Sequence, residues 1–175
     1  MRFVRFTHSV SHFKVLHLED EEVITDGPQI EYHKALDKIL SNESIVVVEQ
    51  DIDFTPMQKE IFANRISELP DNILVAPYLL YPKSVGTPCP VWSPRIVIAK
   101  DVRYEWCLPG MLLCDLFGLG MTYIPHALWQ DFRASIRGKE LPKRDLDSKL
   151  SFHLHFERGM AFRIEWRTPV AHYHF

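Results

Sequence analysis

The run Ile45-Val46-Val47-Val48 constrains this chain most. Four consecutive β-branched residues leave no polar face, so the segment reads as a strand buried on both sides. It passes at once into Glu49-Gln50-Asp51-Ile52-Asp53. In an open α/β sheet, ligands bind beyond the carboxyl ends of such strands. Two carboxylates at i and i+2, Asp51 and Asp53, therefore stand where chemistry is commonly done. Clustered carboxylates repel unless a cation lies between them, and hard oxygen ligands of this kind suit Mg²⁺ or Mn²⁺. A metal-bound diphosphate is the ligand this arrangement points to. The competing role for both residues is to cap the helix that opens at Thr55-Pro56, since Asp is a common N-cap.

Composition sets the class of molecule. With 175 residues, 46% of them hydrophobic and 25% charged, the chain is long enough to bury one sizeable core and reads as a single domain over 1–175. No apolar stretch reaches the length of a membrane span, and Met1 to His8 lacks the apolar core of a secretory leader, so a cytoplasmic protein is expected. Cys89, Cys107 and Cys114 have no Cys-x-x-Cys spacing, which indicates neither a disulfide framework nor a zinc ribbon. A formal net charge of −3 without a basic stripe argues against nucleic acid as a partner.

Along the chain, hydrophobic periodicity alternates between two and about 3.6 residues. Phe13 to Leu18 is a predicted strand. Gly27-Pro28 then turns into a helix with Tyr32, Ala35, Leu36, Ile39 and Leu40 on one face. After the Ile45 strand, Thr55 and Pro56 are an N-cap and an N1 proline for a helix with Met57, Ile61, Ile66 and Leu69 inward. Ile73 to Tyr78 is the next predicted strand. This β, α, β, α, β order predicts a mostly parallel central sheet flanked by helices. Tyr81 to Pro94 is a proline-rich loop. Gly118-Leu119-Gly120 precedes a short strand and requires backbone to pass close to a ligand or a neighbouring strand. His126 to Arg137 is a helix with Leu128, Trp129, Phe132 and Ile136 inward, stopped by Gly138. Leu146, Leu150 and Leu154 mark another helix, ended by Gly159 before a strand from Met160 to Trp166.

The order of these motifs resembles the GT-A fold of nucleotide-sugar-dependent glycosyltransferases, in particular family 2-like enzymes, from about Tyr32 to the C-terminus. Asp51-Ile52-Asp53 is similar to their Asp-x-Asp motif. Phe117-Gly118-Leu119-Gly120-Met121-Thr122-Tyr123-Ile124 resembles the glycine-bearing strand beside their acceptor site. Arg144-Asp145-Leu146-Asp147 stands at the place of their acidic catalytic motif, and Val170-Ala171-His172 resembles their closing Val-x-His. The chain departs from the family in its abbreviated N-terminal half, with only 50 residues before Asp51, and in carrying Arg at 144.

The resemblance implies a metal-dependent transfer of a sugar from a nucleotide-sugar donor to a carbohydrate or glycosylated acceptor. Asp51 and Asp53 would hold Mn²⁺ or Mg²⁺ and through it the diphosphate, with His172 completing the shell. His174 lies two residues on, on the same side of a strand, and is the alternative ligand. Asp145, or else Asp147, would be the base that takes the acceptor proton. Either carboxylate equally suits the N-terminus of the following helix. Asp115, Trp92 and Trp106 are candidates for binding the acceptor, by hydrogen bonds to its hydroxyls or by stacking on its rings. Trp129 lies on an apolar helix face and belongs to the core. His153 and His155 face apart on their helix and are structural.

Two other readings compete. Asp51-Ile52-Asp53-Phe54-Thr55 also spells the Asp-x-Asp-x-Thr motif of haloacid-dehalogenase-like Mg²⁺-dependent phosphatases, although Glu49 and Gln50 interrupt the strand before it. A GT-A-like domain can also bind carbohydrate or a partner without turnover.

Overall fold

The computed structural model describes residues 1–7, 22–25, 32–81, 91–92, 105–108, 111–114, 117–137, 139–141 and 146–173. Phe13 to Leu18, Gly138 and most of the proline-rich loop lie outside them. The elements are strands β1 (Phe3–Thr7) and β2 (Glu22–Thr25), helix α1 (Tyr32–Leu40), strands β3 (Ile45–Glu49) and β4 (Ile52–Asp53) and helix α2 (Pro56–Glu68). There follow β5 (Leu74–Val75), β6 (Tyr78–Tyr81), β7 (Val91–Trp92), β8 (Glu105–Leu108), β9 (Met111–Cys114) and β10 (Met121–Ile124). Helices α3 (His126–Ser135) and α4 (Leu146–Phe152), a π-helical segment (His153–Glu157) and strands β11 (Phe162–Glu165) and β12 (Val170–Tyr173) complete the fold.

Eight strands form the large sheet in the order β2-β1-β3-β10-β5-β11-β9-β8. Strands β1, β2 and β3 are parallel, β10 is antiparallel to both β3 and β5, β11 is parallel to β5, and β9 is antiparallel to both β11 and β8, so six of the eight strands run one way. The molecule is thus a mixed α/β structure with a mostly parallel central sheet and helices on its faces. Among the described strands of this sheet, only β10 and β9 run against the rest.

The β-branched run is buried on both faces, as its lack of a polar side requires. Ile45 and Val47 of β3 belong to a core with α1, α3 and α4, through Leu36, Leu40, Trp129, Phe132, Leu146, Leu150 and Leu154. Val46 and Val48 belong to a second core with α2 and β4, through Phe62, Ile66, Ile52 and Phe54. Alternate residues of one strand thus feed two cores.

A second sheet, ordered β4-β12-β6-β7, is entered three times from the first. Strand β3 continues into β4, β5 into β6, and β11 into β12, each time at the carboxyl end of a co-directional strand of the large sheet. The expected single strand Ile73 to Tyr78 is therefore two strands in two sheets. Pro77 lies between them and has no N–H to continue a ladder; its carbonyl accepts from Val170 N at 2.8 Å, which seats the start of β12.

Two helices also differ from expectation. Helix α2 buries Phe62 and Ile66, whereas Met57 is 70% exposed. The helix after Leu146 does not stay α-helical but widens to a π-helix at His153. Gly159 ends it as expected, with φ at +67°, a left-handed conformation that suits glycine.

Candidate functional site

The Asp-x-Asp segment sits at the first of the three crossings. After Glu49 the chain turns at Gln50 and Asp51, then enters β4, which pairs with β12 so that Ile52 lies opposite His172 and Asp53 opposite Ala171. The closing Val170-Ala171-His172 segment therefore runs directly beside the Asp-x-Asp, antiparallel to it. Asp51 and Asp53 are both half-buried.

A buried arginine from β1 organises this turn. Arg5 is fully buried, and its Nη1 donates to the carbonyls of Ile52 at 2.6 Å, Glu49 at 2.9 Å and Gln50 at 3.5 Å. Its guanidinium also lies 5.8 Å from the centre of the Phe54 ring. One cation thus gathers carbonyls on either side of Asp51, which fixes the backbone that carries both carboxylates. From the other side, Glu49 N donates to Gly120 O at 2.8 Å. At Gly120 the neighbour is thus strand β3.

The capping alternative for Asp51 and Asp53 is answered by Thr55. Its hydroxyl accepts from Gln58 N at 3.2 Å, and the Gln58 side chain accepts from Thr55 N at 2.7 Å, a full capping box with Pro56 at the first helical position. The N-cap of α2 is thus Thr55 and not either aspartate. Gln58 also donates through Nε2 to the carbonyl of Pro169, joining α2 to the approach of β12.

A second charged cluster lies at the end of β11. Glu165 is fully buried; its carboxylate accepts from Arg65 Nε of α2 at 2.9 Å, and from the backbone and guanidinium of Arg167 at 2.9–3.0 Å. Burial pushes the Glu165 carboxyl up, but the hydrogen bonds from Arg167 and Arg65 outweigh it and hold it below the ordinary carboxylate range.

The other predicted residues are distributed unevenly. Asp147 is half-buried in the first turn of α4, where its Oδ1 accepts from Ser148 N at 2.8 Å. Asp145, Asp115 and His174 lie outside the described residues. His172, Trp92 and Trp106 have described backbone in β12, β7 and β8, and their side chains lie outside the description. Trp129 is fully buried and donates from Nε1 to Asp37 at 3.0 Å, a core residue. His155 Nδ1 lies 2.8 Å from the Met160 carbonyl, a contact within its own helix end. Among the described residues, no group of three or more His, Cys, Asp or Glu side chains is arranged to hold a metal ion. The donor set of Asp51 and Asp53 fits an ion of the Mg²⁺ type, which is commonly held by one or two carboxylates together with substrate phosphates and water. Arg5 and the Glu165 cluster went unread in the sequence, because each is defined by partners distant along the chain.

Comparison with known proteins bears on the fold. No family model and no curated protein sequence matches this chain. Among solved structures, the crystal structure of A197 from STIV is similar over 98% of this chain and 81% of that one, with a TM-score of 0.50 at 15% identity. The UDP-glucose pyrophosphorylase from Acinetobacter baumanii is similar over 85% of this chain and 53% of that one, with a TM-score of 0.46 at 8% identity. The first likeness shows a shared fold along nearly the whole chain. Among the described residues, no helix is long and apolar enough to cross a membrane.

Proposed function

We propose that the chain, as one GT-A-like domain over 1–175, is a metal-dependent glycosyltransferase that moves a sugar from a nucleotide-sugar donor to a carbohydrate or glycosylated acceptor. The observation that carries this reading is the Asp51-Ile52-Asp53 turn itself. It stands at the carboxyl end of a strand buried on both faces, its backbone is held by Arg5, and the N-cap of the helix that follows is Thr55 and not either aspartate. Asp51 and Asp53, with His172 or substrate oxygens, are the residues for Mn²⁺ or Mg²⁺. Bound there, the cation supplies charge neutralisation for the departing diphosphate, typically several kcal/mol. Asp145 is assigned the acceptor proton, with Asp147 as the alternative, and Asp115, Trp92 and Trp106 are assigned to the acceptor.

The test is calorimetric titration of nucleoside diphosphates with and without Mn²⁺. Asp53→Ala is expected to abolish metal-dependent nucleotide binding with the fold retained; affinity that is equal in the variant, or equal in chelator, removes the metal role. Asp145→Asn is expected to leave donor binding near the wild-type value while slowing transfer about 100-fold or more, because a missing base affects the chemical step. Unchanged turnover moves that role to Asp147.

A further inference from the structure

On the face of the large sheet opposite α2 and β4, a cavity of about 590 Å³ opens between the end of α3 and the α4/π-helical segment, lined among others by Phe132, Ile136, Lys139, Ser148, Lys149 and Phe152. Its size falls within the roughly 300–1,000 Å³ typical of small-molecule sites. Its floor is apolar, with Phe132 buried, and its rim carries Phe152, 55% exposed, with a ring centroid 4.6 Å from that of the equally exposed Phe156. Two exposed aromatic rings packed on each other are unusual on a water-facing helix, where burial favours turning them inward, and Phe152 of this pair lines the cavity.

The charges of this site are sorted. His153 and Glu157 also line the cavity, but both ring nitrogens of His153 are engaged, Nδ1 with Glu157 Oε2 at 2.6 Å and Nε2 with Asp131 Oδ2 at 3.0 Å. Asp131 is further engaged by Arg158, through Nε at 2.7 Å and through Nη2. The carboxylates are thereby committed to protein partners. Among the described residues, neither Lys139 nor Lys149 is ion-paired, and the Ser148 hydroxyl has no hydrogen bond. The groups left for a ligand are two ammonium ions, one hydroxyl and an aromatic wall. The π-helical segment supports the same reading from the backbone: such widenings are rare and occur mostly at functional sites, and this one begins at His153, directly after Phe152.

We propose that this cavity is a binding site for a small aromatic anion, with the planar body against Phe152 and the anionic group, a phosphate or carboxylate, between Lys139 and Lys149. It is separate from the Asp51/Asp53 turn, which lies on the other face of the sheet.

The experiment uses the full chain in chelator, so that no metal at Asp51 and Asp53 recruits phosphate, and 1-naphthyl phosphate as the probe, with inorganic phosphate and 1-naphthol as its two halves. Titration followed by calorimetry and by amide NMR is expected to show 1-naphthyl phosphate binding about tenfold or more tightly than either half, with affinity falling as salt is raised. The double variant Lys139→Gln/Lys149→Gln, both exposed positions, is expected to lose about tenfold or more in affinity and most of the salt dependence. Phe152→Ala is expected to bring the probe down to the affinity of inorganic phosphate, and Asp53→Ala to leave it unchanged. The proposal is overturned if the probe does not bind at millimolar concentration, if 1-naphthol binds as well as its phosphate, if the double-lysine variant binds like wild type, or if Asp53→Ala abolishes binding.

Discussion

Arg5 shows how a single side chain can set the geometry of a site it does not enter. Burying a guanidinium costs several kcal/mol unless its donors are satisfied, and here carbonyls at Glu49 and Ile52 offset that cost while fixing the turn around Asp51. Arg5→Met keeps an unbranched apolar stem of similar reach but leaves those carbonyls without their donor. The expected loss is about 2–4 kcal/mol, read as a lower urea midpoint, together with weaker metal-dependent nucleotide binding under conditions where the variant is fully folded. Binding equal to wild type in the folded variant would show that the turn holds its shape without Arg5. The sequence displays Phe3-Val4-Arg5-Phe6, a charged residue among apolar ones, but the carbonyls it serves lie 44 to 47 residues away, and no local spacing encodes a contact at that distance. The place of Asp51 and Asp53 between a buried strand and a capped helix was legible for the opposite reason: strand, acid pair and helix cap are consecutive.

Among the elements, α2 shows both what local pattern reveals and where it misleads. Thr55 followed by Pro56 marks the helix start, and the structure adds the reciprocal bond from Gln58. The choice of face was harder. Met57, in the first turn, is apolar yet exposed, while Phe62 and Ile66, four residues apart, fill the core. The Leu146, Leu150 and Leu154 repeat likewise reveals a helix but not its π-helical end, because all three leucines are buried and the inward face alone does not report the widening. Thr55→Ala is expected to cost about 1 kcal/mol, within the usual 0.5–2 for a lost cap. Gln58→Ala should cost more, since it removes the reciprocal cap and the link to Pro169 as well. Thermal denaturation gives the order, and amide exchange should place the added fraying of the glutamine variant at Val170 and its neighbours; equal losses for the two variants would mean that the link to Pro169 contributes nothing.

At the scale of the whole molecule, a mostly parallel sheet with helices on both faces follows from the β, α, β, α, β order, while the reversed direction of β10 and β9 does not, because strand direction is set by which neighbours are met and not by the strand's own residues. The three exits from the large sheet into the second were equally hidden, and one of them is guarded by the Glu165 cluster, which joins the end of β11 to α2 through Arg65 and to the following turn through Arg167. This gives the fold a defined sensitivity to acid. The Glu165 carboxyl is held below its ordinary value of 4.5 in the folded state, so the unfolded chain binds a proton there at a higher pH than the folded one does. Its contribution to stability is accordingly complete above that ordinary value and is lost as pH falls through the lower folded value. Asp131 is shifted in the same direction, chiefly by its hydrogen bond from Arg158, but its side chain is 30% exposed, and solvent screening makes it the lesser contributor. Glu165→Gln is therefore expected to lower stability at neutral pH, where it strips Arg65 and Arg167 of a buried partner, and to flatten the decline of stability with acid, so that the gap to wild type narrows as pH drops below about 4.5. Arg167→Gln, at a half-exposed position, should produce the same narrowing more weakly and guards against a glutamine variant that fails to fold. Urea denaturation across this pH range is the measurement, and a gap that stays constant at every pH would show that Glu165 holds the sheet to α2 by packing and not by its charge.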